Sequence, residues 1–351
     1  MPDFRIQDIF RASFHAFRAS HNLSDVQRDA ALAIIRCKSE KCGCNISVCT
    51  ECGHTELHYN SCRNRICPNC QAVNTLVWVD QRRAEVIDAP YFHVVFTLPH
   101  DLNPLLYCNQ KLLYGLLHTC CAQTLLELSS NPEYLGAVPG IIQILHTWNQ
   151  ELDYHVHMHC IISGGGLTPD LKIRKSKKSF LFLSQCSGIN SKENILPCWI
   201  PSTKRDSLCF PLPAAAFVIP TNGRSLKNRL YSKDWCPYIK ETFRGFGSAV
   251  EYLGKYTHKV AISNSRILSV TDKETTFSAR GRKPGDPRRT LTLSNTEFIR
   301  RFLLHVLPRG FQKIRYCGFL NNRDEIEKPE TDFQASGASA FPGQIFQSFH
   351  T

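Results

Sequence analysis

The sequence predicts an α+β fold, an antiparallel sheet carrying helices, preceded by a cysteine-rich metal-binding module. Three observations carry that expectation. Apolar residues recur at helical spacing over 4–36, 71–88 and 103–130, whereas 91–99, 141–148 and 154–162 are short aromatic or β-branched runs. Two of those runs are joined by the polar stretch 149–153, as hairpin strands are, and the order strand, helix, hairpin, helix suits an antiparallel sheet. Eight of the 17 cysteines fall between Cys37 and Cys70, a density that marks a separate module.

In chain order, Phe4, Ile6, Ile9, Phe10, Phe14 and Phe17, then Val26, Ala30, Ala33 and Ile34, define two amphipathic helices, with Ser24-Asp25 as the cap between them. The cysteine segment 37–70 follows, then a helix over 71–88 and a buried strand, YFHVVFTLP, closed by Pro99. The leucine-rich stretch 103–130 is helical. IIQILHTW and YHVHMHCII are strands, and the glycines at 164–166 are expected to end the second. SAVEYLGKYTHKV (248–260) reads as a helix, and 290–311 as a strand, a helix capped near Ser294-Asn295 and a proline stop. Residues 184–226 show no sustained period, and the Ser/Gly/Phe-rich end reads as a loose tail. The expected division is a helical and zinc-binding domain over 1–90, a catalytic domain over 91–320 in which 184–226 is atypical, and a disordered tail over 321–351.

Composition narrows the function. With 351 residues, 42% hydrophobic and 21% charged, the chain is globular, not disordered. Lys and Arg number 42 against 30 Asp and Glu, a net charge of +12 that points to a polyanion, above all nucleic acid. The opening residues mix charge through their apolar positions, so no secretory signal is expected, and no run approaches the ~20 apolar residues of a membrane span. A cytoplasmic protein is expected, where clustered cysteines mean metal rather than disulfides.

Cys49-Thr-Glu-Cys52 and Cys67-Pro-Asn-Cys70 are two C-x-x-C knuckles. Two intervening residues let both thiolates close on one ion at ~2.3 Å, and two knuckles complete a tetrahedron, so structural Zn²⁺ on Cys49, Cys52, Cys67 and Cys70 is the expectation. Cys37, Cys42, Cys44, Cys62, His54 and His58 are spare ligands for a second zinc. A four-thiolate site has no open position and does not catalyse. Arg63 and Arg65, inside this segment, face either phosphate or solvent.

His155, His157 and His159 alternate along a strand and share one face, opposite Val156, Met158 and Cys160. Three neutral imidazoles side by side bind a divalent cation. Tyr252 and Tyr256, four apart on a helix, also share a face, among the basic neighbours Lys255, His258 and Lys259.

Taken together, the histidine-hydrophobe-histidine strand and the later two-tyrosine helix resemble the HUH superfamily of single-strand endonucleases, and within it the two-tyrosine rolling-circle transposases of the IS91 type. The segments that match are SCRNRICPNCQ (61–71), YFHVVFTLP (91–99), QILHTWNQ (143–150), HVHMHCIISGGGL (155–167), EYLGKYTHKVAISNSRI (251–267) and LSNTEFIRRFLLHVLP (293–308). The resemblance implies an HUH-type sheet and a transposase acting on single-stranded DNA at element ends and target. It implies His157 and His159 as ligands of a catalytic Mg²⁺ or Mn²⁺, with His155 or His146 completing the shell. Tyr252 and Tyr256 are implied as nucleophiles that leave a 5′-phosphotyrosine and a free 3′-OH. By charge and position, Lys255 and Lys259, with Arg63 and Arg65, are candidate DNA contacts. The resemblance lapses over 184–226, which reads like a shifted reading frame restored before YSKDWCPYIKETF, and again after about residue 324. Asn45 and Ile66 stand where histidines are expected in relatives.

Two rival readings use fewer of these features or assign another role. A non-catalytic zinc-ribbon regulator leaves the three-histidine strand and the tyrosine pair unused. A relaxase or replication initiator shares the chemistry in another setting.

Overall fold

The computed structural model describes residues 4–83, 87, 89–176, 232, 238–243, 254, 261–281 and 285–321. The opening helices are α1 (Ile6–Ser20) and α2 (Asp25–Arg36). Ser24 caps α2 through a box in which Gln27 N–H donates to Ser24 Oγ and Ser24 N–H to Gln27 Oε1. A two-stranded hairpin follows, β1 (Cys44–Val48) with β2 (Thr55–Tyr59), then α3 (Gln71–Arg83).

The main sheet comprises β3 (Tyr91–Thr97), β4 (Val138–Trp148), β5 (Tyr154–Leu167), β6 (Ile173–Lys175), β7 (Tyr238–Phe243) and β11 (Ile314–Gly318). Its order is β11-β4-β5-β3-β7, with β6 beside the end of β5, and every pair is antiparallel. The α+β architecture with an antiparallel sheet is therefore as the sequence predicts. Between β3 and β4 lie α4 (Asn103–Cys108) and α5 (Gln110–Ser130). A smaller sheet, β8 (Ile267–Val270), β9 (Glu274–Ala279) and β10 (Arg289–Ser294), leads into α6 (Asn295–Leu303), capped by Ser294 Oγ accepting from Glu297 N–H at 3.2 Å. Among the described residues no helix is long and apolar enough to cross a membrane.

Period two decides what each face of the sheet does. Phe92, Val94 and Phe96 of β3, Ile141 and Leu145 of β4 and Val156, Met158, Cys160 and Ile162 of β5 pack with Leu113, Leu117, Cys121, Leu125 and Leu128 of α5. Burial of each large apolar side chain contributes about 1.5–3 kcal/mol, which makes this face the anchor of the sheet. On the other face Trp78 of α3 packs with Tyr91, Ile142, Ile144 and Ile161. A third core unites α1 and α2 with α6 and the small sheet, where Phe10 meets Phe302 edge-on at 5.4 Å.

One expectation about β5 is corrected. The glycines at 164–166 do not end the strand, which runs to Leu167 and pairs there with β6. They are where backbones close up: a Cβ on Gly166 would stand 2.5 Å from Val138 O. The turn 149–153 is as expected, and α6 fixes it, because Arg301 donates to Glu151 O and pairs with Asp153 at 2.8 Å. The expected features at 184–226, 248–260 and 321–351 lie outside the described residues, Gly254 and Asn321 excepted.

Candidate metal centres

Four cysteines converge beneath the N-terminal helices. Cys37 ends α2, Cys62 follows β2, and Cys67 and Cys70 form a knuckle running directly into α3. Buried Gln7 holds the end of α2 by donating to Ile34 O at 2.9 Å and Cys37 O at 2.7 Å. The four sulfurs lie within 4.8 Å of one another, with Cys37 to Cys70 at 3.5 Å and Cys62 to Cys70 at 3.6 Å. Sulfurs around a tetrahedral zinc at ~2.3 Å stand about 3.8 Å apart, so this donor set fits that ion closely. Hydrogen bonds from Cys62 and then Cys67 hold the Cys37 thiol far below its ordinary value, while the Cys62 and Cys67 thiols are pushed up, first by Cys37. Crowded sulfurs cannot all ionise without a positive charge among them, which a dication supplies.

The expected pairing of two knuckles is not what the chain brings together. Cys67 and Cys70 meet Cys37 and Cys62 instead, and Cys49 and Cys52 are exposed at the tip of the β1–β2 hairpin. The hairpin is the reason: Cys49 stands five residues beyond Cys44, about 17 Å along an extended strand. Cys42 Sγ donates to Arg36 O, and Cys44 is exposed. Arg63 is exposed, with φ of 54°. Arg65 is also exposed and lines the cavity described below, and its guanidinium donates to the carbonyls of Leu307, Pro308 and Phe311, each at 2.6 Å.

The second convergence is on the main sheet. His157 and His159 of β5 and His146 of β4 place ring nitrogens within 4.8 Å of one another. His146 stands directly opposite His157 in the ladder, on the face that also carries Ile142, Ile144 and Ile161. His155 lies one step outside, its ring 5.1 Å from that of His157 and 5.0 Å from that of His100. Burial, then the nearby His100, lowers the pKa of His155. Of the two candidates for the third position, the geometry brings in His146 and leaves His155 out.

The same face holds a histidine that sequence reasoning missed. Buried His93 of β3 places Nε2 2.7 Å from His159 Nδ1. Its signal was present in the strand: between Phe92 and Val94, which point to the α5 core, His93 faces the other way. His157 Nδ1 lies 3.0 Å from His155 O and donates to that carbonyl. A histidine that donates from Nδ1 in this way coordinates a cation through Nε2. His146 stacks on Trp148 at 4.4 Å, and Lys313 Nζ lies 4.9 Å from the centre of the same indole. Trp148 and Lys313 line a cavity of about 1220 Å³, bounded also by Asn64, Gln71 and Arg309. Tyr252, Tyr256, Lys255 and Lys259 lie outside the described residues.

Two family profiles match the chain. Residues 140–327, more than half of it, match the family described as "Putative transposase", and residues 9–98 match the "Transposase zinc-binding domain". The chain is 38% identical over 325 residues to the "Putative transposase y4qJ" of Sinorhizobium fredii (strain NBRC 101917 / NGR234), covering 92% of this chain and 82% of that one. It is 26% identical over 310 residues to the "Transposase for insertion sequence element IS801" of Pseudomonas savastanoi pv. phaseolicola, covering 86% and 72%. No solved structure matches. The two profiles agree with the buried cysteine cluster and with the family resemblance read from the sequence, and the chain belongs to the IS91-type transposases, with their zinc-binding domain at its N-terminal end.

Proposed function

We propose that this transposase nicks and rejoins single-stranded DNA through a 5′-phosphotyrosine, in rolling-circle transposition within the bacterial cytoplasm. The observation that carries the reading is the convergence of His146, His157 and His159 on one sheet face beside the Trp148 cavity. Three imidazoles with no carboxylate among them suit Mn²⁺ better than Mg²⁺, which prefers oxygen ligands. His146, His157 and His159 would hold a divalent cation there, which would supply Lewis-acid stabilisation of charge on the scissile phosphate.

The chain's own residues do the rest. Either Tyr252 or Tyr256 supplies a phenolic oxygen that bonds to phosphorus as the bond to the 3′ oxygen breaks. The phenolic proton leaves, and the departing 3′ oxygen takes one up. Attack by a new 3′-OH reverses the step, so no nucleotide cofactor is needed. Gly254, midway between the two tyrosines, is helical, and a Cβ on it would stand 2.4 Å from Val79 of α3, the helix whose Trp78 packs on the histidine face. Trp148 and Lys313 offer a stacking surface and a cation of the kind that single strands use.

The test is incubation of labelled single-stranded DNA and Mn²⁺ with the wild type and with Tyr252→Phe, Tyr256→Phe and the double variant, read as covalent adduct on a denaturing gel. Each single variant is expected to retain an adduct and the double variant to lose it. An adduct in the double variant overturns the assignment.

A further inference from the structure

The exposed knuckle at the hairpin tip offers two thiols, half the donors of a four-thiolate zinc site. Cys49 N–H donates to His54 O at 2.8 Å, and Gly53 N–H donates to Cys49 O at 2.9 Å with φ of 71°, the left-handed conformation that glycine adopts most readily. That turn holds Cys49 and Cys52 together at the tip of the hairpin, beyond the ends of β1 and β2. Both thiols are exposed. Among the described residues no third Cys, His, Asp or Glu joins them at the spacing of a shared ion, and Cys37, Cys62, Cys67 and Cys70 already make a complete set elsewhere. Cys44 and His58 sit towards the far end of the ladder, opposite Tyr59 and Asn45.

Beside the tip, the hairpin leaves an apolar face uncovered. Ile46 is opposite Leu57 and Cys44 opposite Tyr59, and directly paired residues share a face. Ile46 is 63% exposed, Val48 60%, Leu57 48% and Tyr59 43%. A half-site of two thiolates next to an uncovered apolar strip is self-complementary under a two-fold axis, which brings two pairs of sulfurs to one point and lays strip against strip.

We propose that Cys49 and Cys52 are half of a zinc site that a second copy of this chain completes, giving a four-thiolate bridge between two transposase molecules. The bridge is separate from the buried zinc site within each chain.

The experiment measures zinc content and mass, by elemental analysis and sedimentation, for the full-length protein and for Cys49→Ser/Cys52→Ser. The wild type is expected to be a dimer holding about one and a half zinc ions per chain, one buried in each and one shared between two. The double variant should be a monomer with about one zinc per chain and an unchanged circular dichroism spectrum, because the lost thiols are exposed and outside the cores. Graded chelation of the wild type should remove the shared ion first and release monomers that keep the buried zinc. Ile46→Ser/Leu57→Ser, which spares the thiols, should weaken the dimer. A wild-type monomer, with one zinc or two, overturns the proposal. So does a dimer that survives loss of both cysteines.

Discussion

His93 and His159 share a 2.7 Å hydrogen bond under the candidate catalytic centre, and a ligand whose second nitrogen is held keeps one ring orientation. His93→Ala should therefore weaken Mn²⁺ binding about 10–100-fold, measured by calorimetry, with DNA cleavage recovered at high Mn²⁺. Cleavage that stays absent at saturating metal would instead give His93 a direct part. Two other buried histidines bear on acid stability. Burial, aided by Arg315, pushes His118 down to about 3, and burial pushes His305 down to about 4. Both are neutral in the folded chain and take up protons more readily when unfolded. Their contribution is fully present above about pH 6.5 and is lost as pH falls from there, to about 4 for His305 and about 3 for His118. His118→Gln should flatten the fall in melting temperature across that window. A curve parallel to the wild type would show that His118 is not held neutral.

Between elements, Arg65 is one of the ties. Its guanidinium carries the loop from Cys62 to Cys70 onto the segment following α6 by three bonds to carbonyls. Arg65→Ala should cost about 2–3 kcal/mol in denaturant unfolding, since charged hydrogen bonds are lost and their acceptors remain partly buried. Lysine should restore only part of this, because an ammonium cannot reproduce the planar fork. A full rescue by lysine would mean that charge alone holds the loop. The turn between β4 and β5 is held comparably by Arg301, and through it the histidine strands are fixed to α6.

Across the whole molecule, the buried cysteines are part of a core rather than an appendage. Cys37, Cys67 and Cys70 pack with Phe10, Phe14, Phe298 and Phe302, whereas the face of the main sheet opposite the histidines rests on α5. Stripping zinc should lower the melting temperature and loosen α1, α2 and α6 together, followed by circular dichroism. An unchanged melt after complete zinc removal would refute a structural role. Single-strand affinity should also fall in the stripped protein, because Asn64 and Gln71 of the cysteine module form a wall of the cavity beside Trp148. Binding should be strongly salt-dependent, with a slope near −0.7 for each phosphate neutralised, consistent with the net charge of +12.

What the sequence determined by itself is what depends on near neighbours. Period two put His155, His157 and His159 on one face, the polar stretch 149–153 announced its turn, and Ser24 and Ser294 announced two helix starts. The family was legible for the same reason, since its motifs are short and contiguous. Ligand sets were not, because a set is a meeting of residues far apart in the chain. Only strand order placed His146 opposite His157 and His93 against His159, and left His155 outside. Only the hairpin's reach separated Cys49 and Cys52 from Cys67 and Cys70, and only the packing of α2 delivered Cys37 in their stead. Spacing says which thiolates can share an ion. Tertiary structure decides which do, because coordination acts over a few ångströms and the chain must fold to bring its donors that close.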